Sequence, residues 1–289
     1  MPAVPDGRAG GAGASPTLSR MVLGQALSAL RDRAGITREA ACRAIGAPES
    51  KISRLELGRE DVRLRDVAGL CALYGVTDHL QRATLLSMAQ LANRPEWWHS
   101  YRDVIPAWFE PYLGLEQTAS VIRTYETQFI PGLLQAPAYA RTLIGSGTSS
   151  RAVTEQRSEL RLRRQHILRG PAHLWALVDE SVLRRRIGGR AAMSAQLRHL
   201  MDMCDMANVT IQVLTLRGDG HLAEGAFTIL RLPDRELPDV VYMERLAGAA
   251  YLRNDRDCSY YLHTMNLLTM AAESATVTQD ILRQILSEI

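Results

Sequence analysis

From Leu18 to Ala34 the apolar residues Leu23, Ala26, Leu27 and Leu30 recur at the three-and-four spacing of a helix with one buried face, and Gly35 supplies a stop. Thr37 can cap a second short helix, Arg38 to Ile45, by accepting a first-turn N–H, and Gly46 ends it. Pro48 suits the first position of a third helix, where its missing N–H costs nothing, and Gly58 closes that helix at Leu57. Arg65 to Tyr74 repeats the pattern through Val67, Leu70 and Cys71, and Asp78 to Ala92 makes a fifth helix before Pro95 breaks the periodicity. The pattern predicts a five-helix domain over residues 18–92 behind a flexible tail over 1–17.

Residues 93–150 differ in character. They hold Trp97, Trp98, Tyr101, Trp108, Phe109, Tyr112, Tyr125, Phe129 and Tyr139, three of the four tryptophans and two of the three phenylalanines. Such a stripe either packs or forms a ligand cage. We read it as an aromatic-rich helical connector belonging to the C-terminal unit. Over 151–289, an arginine-rich helix from Glu155 to Leu168 precedes a strand at His173 to Val178, a helix at Met193 to Ala207 and a strand at Val209 to Leu214. Strands at Ala226 to Leu232, Asp239 to Glu244 and Ala249 to Leu252 follow a Gly-rich turn, and helices at Cys258 to Glu273 and Gln279 to Ile289 close the chain. The fold class is therefore mainly α with a mixed α/β second half, an α+β regulatory or dimerisation domain of four or five strands.

Composition narrows the class. A 289-residue chain that is 46% hydrophobic and 22% charged suits a soluble globular protein of two units. Its net charge of +3 tolerates nucleic-acid binding without arguing for it, because 31 acids offset 34 bases. Lys51 is the only lysine, beside thirty-three arginines, which reads as GC-rich codon usage. Cys42, Cys71, Cys204 and Cys258 lie far apart without C-x-x-C spacing, as expected of reduced thiols in a cytoplasmic protein. No run approaches the roughly 18 to 20 apolar residues of a membrane span, and the N-terminus lacks the apolar core of a signal peptide.

Chemistry concentrates on the third helix, ESKISRLELGR. Ile52 and Leu55 face inward, while Ser50, Lys51 and Arg54 are assigned to the opposite face. Two long cations and a hydroxyl suit a major-groove helix, since Arg and Lys can donate to guanine O6 and N7. Alone, the same face is more readily that of a solvated surface helix. The order long helix, glycine, Thr-capped helix, tight turn, short helix and amphipathic helix is what favours a helix-turn-helix.

The stretch LGQALSALRDRAGITREAACRAIGAPESKISRLELGR, about Leu23 to Arg59, followed by DVAGLCALYGV, resembles the XRE-type helix-turn-helix family, the Cro and phage-repressor group. The resemblance implies a lambda-repressor-like domain that binds double-stranded DNA. It implies that Arg31 and Glu56 pair across helices one and three, and that Arg38 contacts the backbone or an outer base. It places Glu49, Ser50 and Arg54 toward base edges with Lys51 and Ser53 beside them, and Arg59 on a phosphate. Leu57 departs from the family, standing where polar residues are usual, and Glu49 turns an anion toward the groove.

The stretches WWHSYRDVIPAWFEPYLGLEQTAS, IRTYETQFIPGLLQAPAYAR, RRQHILRGPAHLWALVDESVLRRRIGG, VTIQVL, GAFTIL and VVYMERLAGAAYL resemble the WhiJ-like, antitoxin-like regulators of actinobacteria. That resemblance implies a transcriptional regulator, with a small protein partner encoded nearby.

An enzyme reading has little to work with. Asp179, Glu180, His221, Glu224 and Glu244 offer carboxylates and a histidine, yet no H-E-x-x-H, G-x-S-x-G, G-x-G-x-x-G or phosphate-loop pattern occurs. No catalytic residue, metal or cofactor is assigned. Asp179-Glu180 reads as a helix cap or as a partner of Arg184, Arg185 or Arg186. The arginine clusters at 161–164 and 184–186 are either a solvated face with intramolecular ion pairs or a second contact for DNA or an acidic protein. The expectation is a cytoplasmic, homodimeric DNA-binding regulator, because one short helix reads few base pairs and two half-sites supply the rest. Its rivals are a partner-holding antitoxin-like module and a small-molecule sensor.

Overall fold

The computed structural model describes residues 15–58, 62–148, 150–217, 223, 225–234 and 236–289. The chain divides into two compact units, residues 1–99 and 100–289.

The first unit holds five helices: α1 (Pro16–Arg33), α2 (Arg38–Ile45), α3 (Glu49–Glu56), α4 (Leu64–Leu73) and α5 (His79–Ala92). Their ends follow local chemistry. Ser15 Oγ accepts from Leu18 N at 3.1 Å, so α1 starts at Pro16, two residues ahead of the expected Leu18. Thr37 Oγ1 accepts from Ala40 N at 3.2 Å and Asp78 Oδ1 from Leu80 N at 2.9 Å, opening α2 and α5. Pro48, expected inside the third helix, is instead its N-cap, with extended backbone and no side-chain bond to offer. Leu23, Leu27, Ala41, Ile52, Leu55, Val67, Leu70 and Ala89 form one buried core.

Two glycines let α3 settle onto α1. A Cβ at Gly24 would stand 2.5 Å from Leu55 O and 2.7 Å from Glu56 O, so the backbones meet where no side chain fits. Gly58 ends the turn after α3 with φ +63, and a Cβ there would also come within 2.9 Å of Met21 Cα. Gly24→Ala should therefore push α3 off α1 and cost about 1–3 kcal/mol, the usual scale of overpacking. Denaturant unfolding of the full chain measures this, and a wild-type midpoint would show that the two helices can separate freely.

The second unit is built on a six-stranded mixed sheet, in the order β3-β2-β1-β4-β5-β6. Its strands are β1 (Val121–Glu126), β2 (His173–Asp179), β3 (Val209–Leu214), β4 (Phe227–Arg231), β5 (Val240–Arg245) and β6 (Gly248–Leu252). β1, β2 and β3 run parallel, and β4, β5 and β6 add antiparallel neighbours beyond β1. The sheet has one strand more than expected. β1 lies inside the segment read as a helical connector and is central, with helices packed on both sides.

One face of the sheet packs on α11 (Asp255–Ala271), where Cys258, Met265 and Leu268 meet Tyr125, Leu177, Phe227 and Val241. Ile122, Thr124 and Leu174 lie on the other face, with Tyr112 and Glu116 of α6 (Glu110–Thr118) and Arg164 of α8 (Arg151–Arg164). α7 (Pro137–Gly145) packs on α8, and α9 (Glu180–Arg184) and α10 (Gly189–Cys204) connect β2 to β3. The outer edge of β3 is occupied: Glu273 N donates to Val213 O at 2.9 Å, and Val213 N donates to Thr278 Oγ1 of α12 (Ala275–Glu288) at 3.2 Å. Asp179 caps α9 through Ser181 N at 2.9 Å, and Glu180 accepts from Arg184 Nε at 2.7 Å. Among the described residues no helix is long and apolar enough to cross a membrane. All four cysteines are free thiols, with Cys42, Cys71 and Cys258 buried.

Candidate nucleic-acid interface

α3 has eight residues, too few to hold a helix in water by themselves, so its neighbours decide where it lies. Ile52 and Leu55 anchor it in the core at 0% and 1% exposure. Glu56, at its C-terminal end, accepts from Arg31 Nε of α1 at 2.5 Å, from Arg31 Nη2 at 3.2 Å and from Arg38 Nε of α2 at 2.9 Å. Arg31 also donates to Ile36 O at 3.0 Å, in the turn between those helices. One carboxylate thus ties three helices together. Hydrogen bonding to Glu56 raises the pKa of Arg31, and burial followed by the Glu56 charge pushes the Tyr74 hydroxyl up to about 12.

The two sides of this knot differ in exposure. The Arg31 and Glu56 side chains are 9% and 4% exposed, whereas Arg38 is 54% exposed. Arg38, expected at the DNA backbone or an outer base, is half committed to Glu56 and half open to solvent. Ser50 and Arg54 are exposed on α3 and Ser53 is half-buried. Lys51 departs from expectation. It was assigned to the outer face, but its ammonium lies 2.5 Å from Asp66 Oδ2 and its side chain is only 14% exposed. Arg59 and the Glu49 side chain lie outside what the structure describes.

Asp66 is the residue that the sequence reading passed over. It stands four residues before Leu70 and beside Val67, on the buried stripe of α4. A carboxylate on an apolar stripe demands a partner, and that was the available signal.

Charge is unevenly divided. Residues 1–99 hold 13 Lys and Arg against 10 Asp and Glu, and residues 100–289 hold 21 of each, so the whole net positive charge belongs to the first unit. The first unit can attract a polyanion, and the second is neutral in sum.

In the second unit the aromatic segment packs against tyrosines of β5 and β6. Ring centroids run from Trp108 to Phe109 at 5.8 Å, on to Tyr112 at 5.2 Å, Tyr242 at 4.3 Å and Tyr251 at 5.2 Å. Arg164 lies over Phe109 and Tyr112, and its guanidinium meets Glu116 in a two-pronged buried pair at 2.8 and 2.7 Å. The adjoining cavity, lined by Thr124, Glu126 and Gly132 among others, has about 30 Å³, room for a water or two. Among the described residues no group of three or more His, Cys, Asp or Glu is placed to hold a metal ion. His221 and Glu224 lie outside the described residues.

Residues 22–85 match the model of a helix-turn-helix domain, the class to which DNA-binding regulators belong. Residues 109–284, more than half the chain, match the model described as Domain of unknown function (DUF5753), and the chain belongs to that family. No curated protein and no solved structure matches it.

Two measurements follow from the buried carboxyls. Glu56→Ala takes from Arg31 its buried partner and leaves it Ile36 O and the exposed Asp32 carboxylate at 2.7 Å, so it should cost about 3 kcal/mol of first-unit stability, the low end for a broken buried pair, read by denaturant unfolding. Glu56→Gln keeps an acceptor and should cost less. The second measurement concerns Glu126: burial, then repulsion from Glu244, pushes its carboxyl from 4.5 up to about 8. The folded state therefore holds this proton more tightly than the unfolded chain. Its contribution is most favourable below about pH 4.5 and is lost as pH rises through about 8. Thermal melts between pH 5 and 9 should show the second unit weakening with pH, and Glu126→Gln should flatten that slope; an equally steep slope in the variant would assign it to other groups.

Proposed function

We propose that the protein is a sequence-specific DNA-binding transcriptional regulator that lays α3 in the major groove of double-stranded DNA. The observation that carries this reading is the division of α3 into a buried side, Ile52 and Leu55 backed by the Glu56 knot, and an exposed side bearing Ser50 and Arg54. Arg54 is suited to guanine O6 and N7, and Ser50 to a base edge or phosphate. Arg38 and Arg59, flanking α3 in sequence, are assigned to phosphates, which set register without reading sequence. The task is binding and not catalysis.

A single eight-residue helix reads only a few base pairs, so the working form in this proposal is a cytoplasmic homodimer spanning two half-sites about one helical turn apart. The second unit supplies the dimer surface and the response to a partner or ligand.

The test is selection of genomic DNA fragments by the purified full chain, with Arg54→Ala as control. Wild type should enrich one motif, and Arg54→Ala should lose about 1–3 kcal/mol on it. Arg59→Ala should weaken all sequences alike. Enrichment of no motif by wild type would remove the reading, and unchanged specific binding by Arg54→Ala would remove that residue from base contact.

A further inference from the structure

The first turn of a helix presents unpaired N–H groups and favours anions, so a cation there is misplaced with respect to its own helix. Lys51 occupies the first turn of α3, whose N-cap, Pro48, offers no side-chain bond. The misplacement is resolved in the next helix. Lys51 Nζ lies 2.5 Å from Asp66 Oδ2, and Asp66 is the acidic residue in the first turn of α4, whose N-terminus it complements. The Asp66 side chain is 4% exposed. Arg65 also approaches it, at 3.5 Å, but is 77% exposed, so solvent screens that contact and Lys51 supplies most of the neutralisation.

A lysine that left Asp66 to reach a phosphate or a base would abandon a buried, uncompensated carboxylate, among the costlier events in a folded protein. Glu56 already binds the C-terminal end of α3 to α1 and α2. The pair at the other end makes the restraint two-sided.

Resting on the DNA-binding reading above, we infer that Lys51 is a positioning residue. Acting through Asp66, it fixes the N-terminal turn of α3 to α4 and so sets how Ser50 and Arg54 meet DNA, without itself touching DNA.

The test measures affinity on the motif enriched by wild type, over a range of salt, for Lys51→Met, Asp66→Asn, the double variant and Lys51→Arg. Each single variant should lose specific affinity by about tenfold, the size of one coupled contact, and the double should lose no more than either single. The slope of log affinity against log salt should stay at the wild-type value, and Lys51→Arg should recover most of the binding. A phosphate contact would instead lower that slope by about one in Lys51→Met. A base-reading lysine would leave Asp66→Asn at wild-type affinity or tighter, because the variant frees the ammonium. Either result overturns the inference while leaving DNA binding intact; absence of any wild-type motif overturns the DNA-binding reading instead. Should Lys51→Met fail to fold, the double variant, which removes both charges together, carries the same comparison.

Discussion

The buried carboxylate of Glu56 is the constraint on which the first unit depends. It is held by Arg31 from one side and Arg38 from the other, so α1, α2 and α3 share a single anion. Such a knot adds little net stability, because removing both charges from water costs nearly what their attraction returns. What it adds is geometry. A carboxylate at 4% exposure cannot tolerate the loss of its partners, and α3 therefore has one permitted position. Gly24 makes that position reachable, since any larger residue would hold the carbonyls of Leu55 and Glu56 away from α1.

The second unit repeats the device at greater depth. Glu116 and Arg164 close a two-pronged pair beneath stacked aromatic rings, joining α6 to α8 against the sheet. That carboxylate is fully matched, whereas Glu126 nearby forms no ion pair among the described residues and faces the repulsion of Glu244. At Glu126 the loss of hydration with no ion pair to replace it favours the protonated form.

Most helix ends of the first unit were legible because they are written locally, in Thr37 and the glycines at 35, 46, 58 and 75, whereas the Ser15 cap, set in the stretch read as a tail, was missed. β1 was not legible, because its polarity does not follow its burial: Thr124 is buried, and Arg123 and Glu126 are half-buried, so no apolar alternation marks it. Val121 to Glu126 places Ile122 and Thr124 on one side and Arg123 and Tyr125 on the other, within a run of aromatics that reads as helical. The role of Lys51 was hidden for a different reason. At about 100° per residue, Lys51 and Glu56 each stand about 70° from the centre of the stripe made by Ile52 and Leu55, on opposite borders of it. Helical spacing marks such positions as neither in nor out, and only the neighbouring helix decides. Arg54 and Ser50, well beyond the border, were legible.

These ion pairs also limit how strongly the first unit can hold DNA by charge alone. Arg31, Arg38 and Lys51 direct their charges at Glu56 and Asp66, and Arg43 pairs with Glu39 along α2. Sequence-independent affinity scales with the number of phosphates neutralised, so the two largely buried cations, Arg31 and Lys51, add little to it, while Arg38 and Arg43, more than half exposed, can still face phosphate. A general affinity trimmed in this way suits DNA recognition, because the competitor to any specific site is the rest of the genome. It also moves the demand for affinity onto base contacts, which one short helix supplies in small number. Among the described residues of α3, the exposed polar side chains placed for such contacts are Ser50 and Arg54.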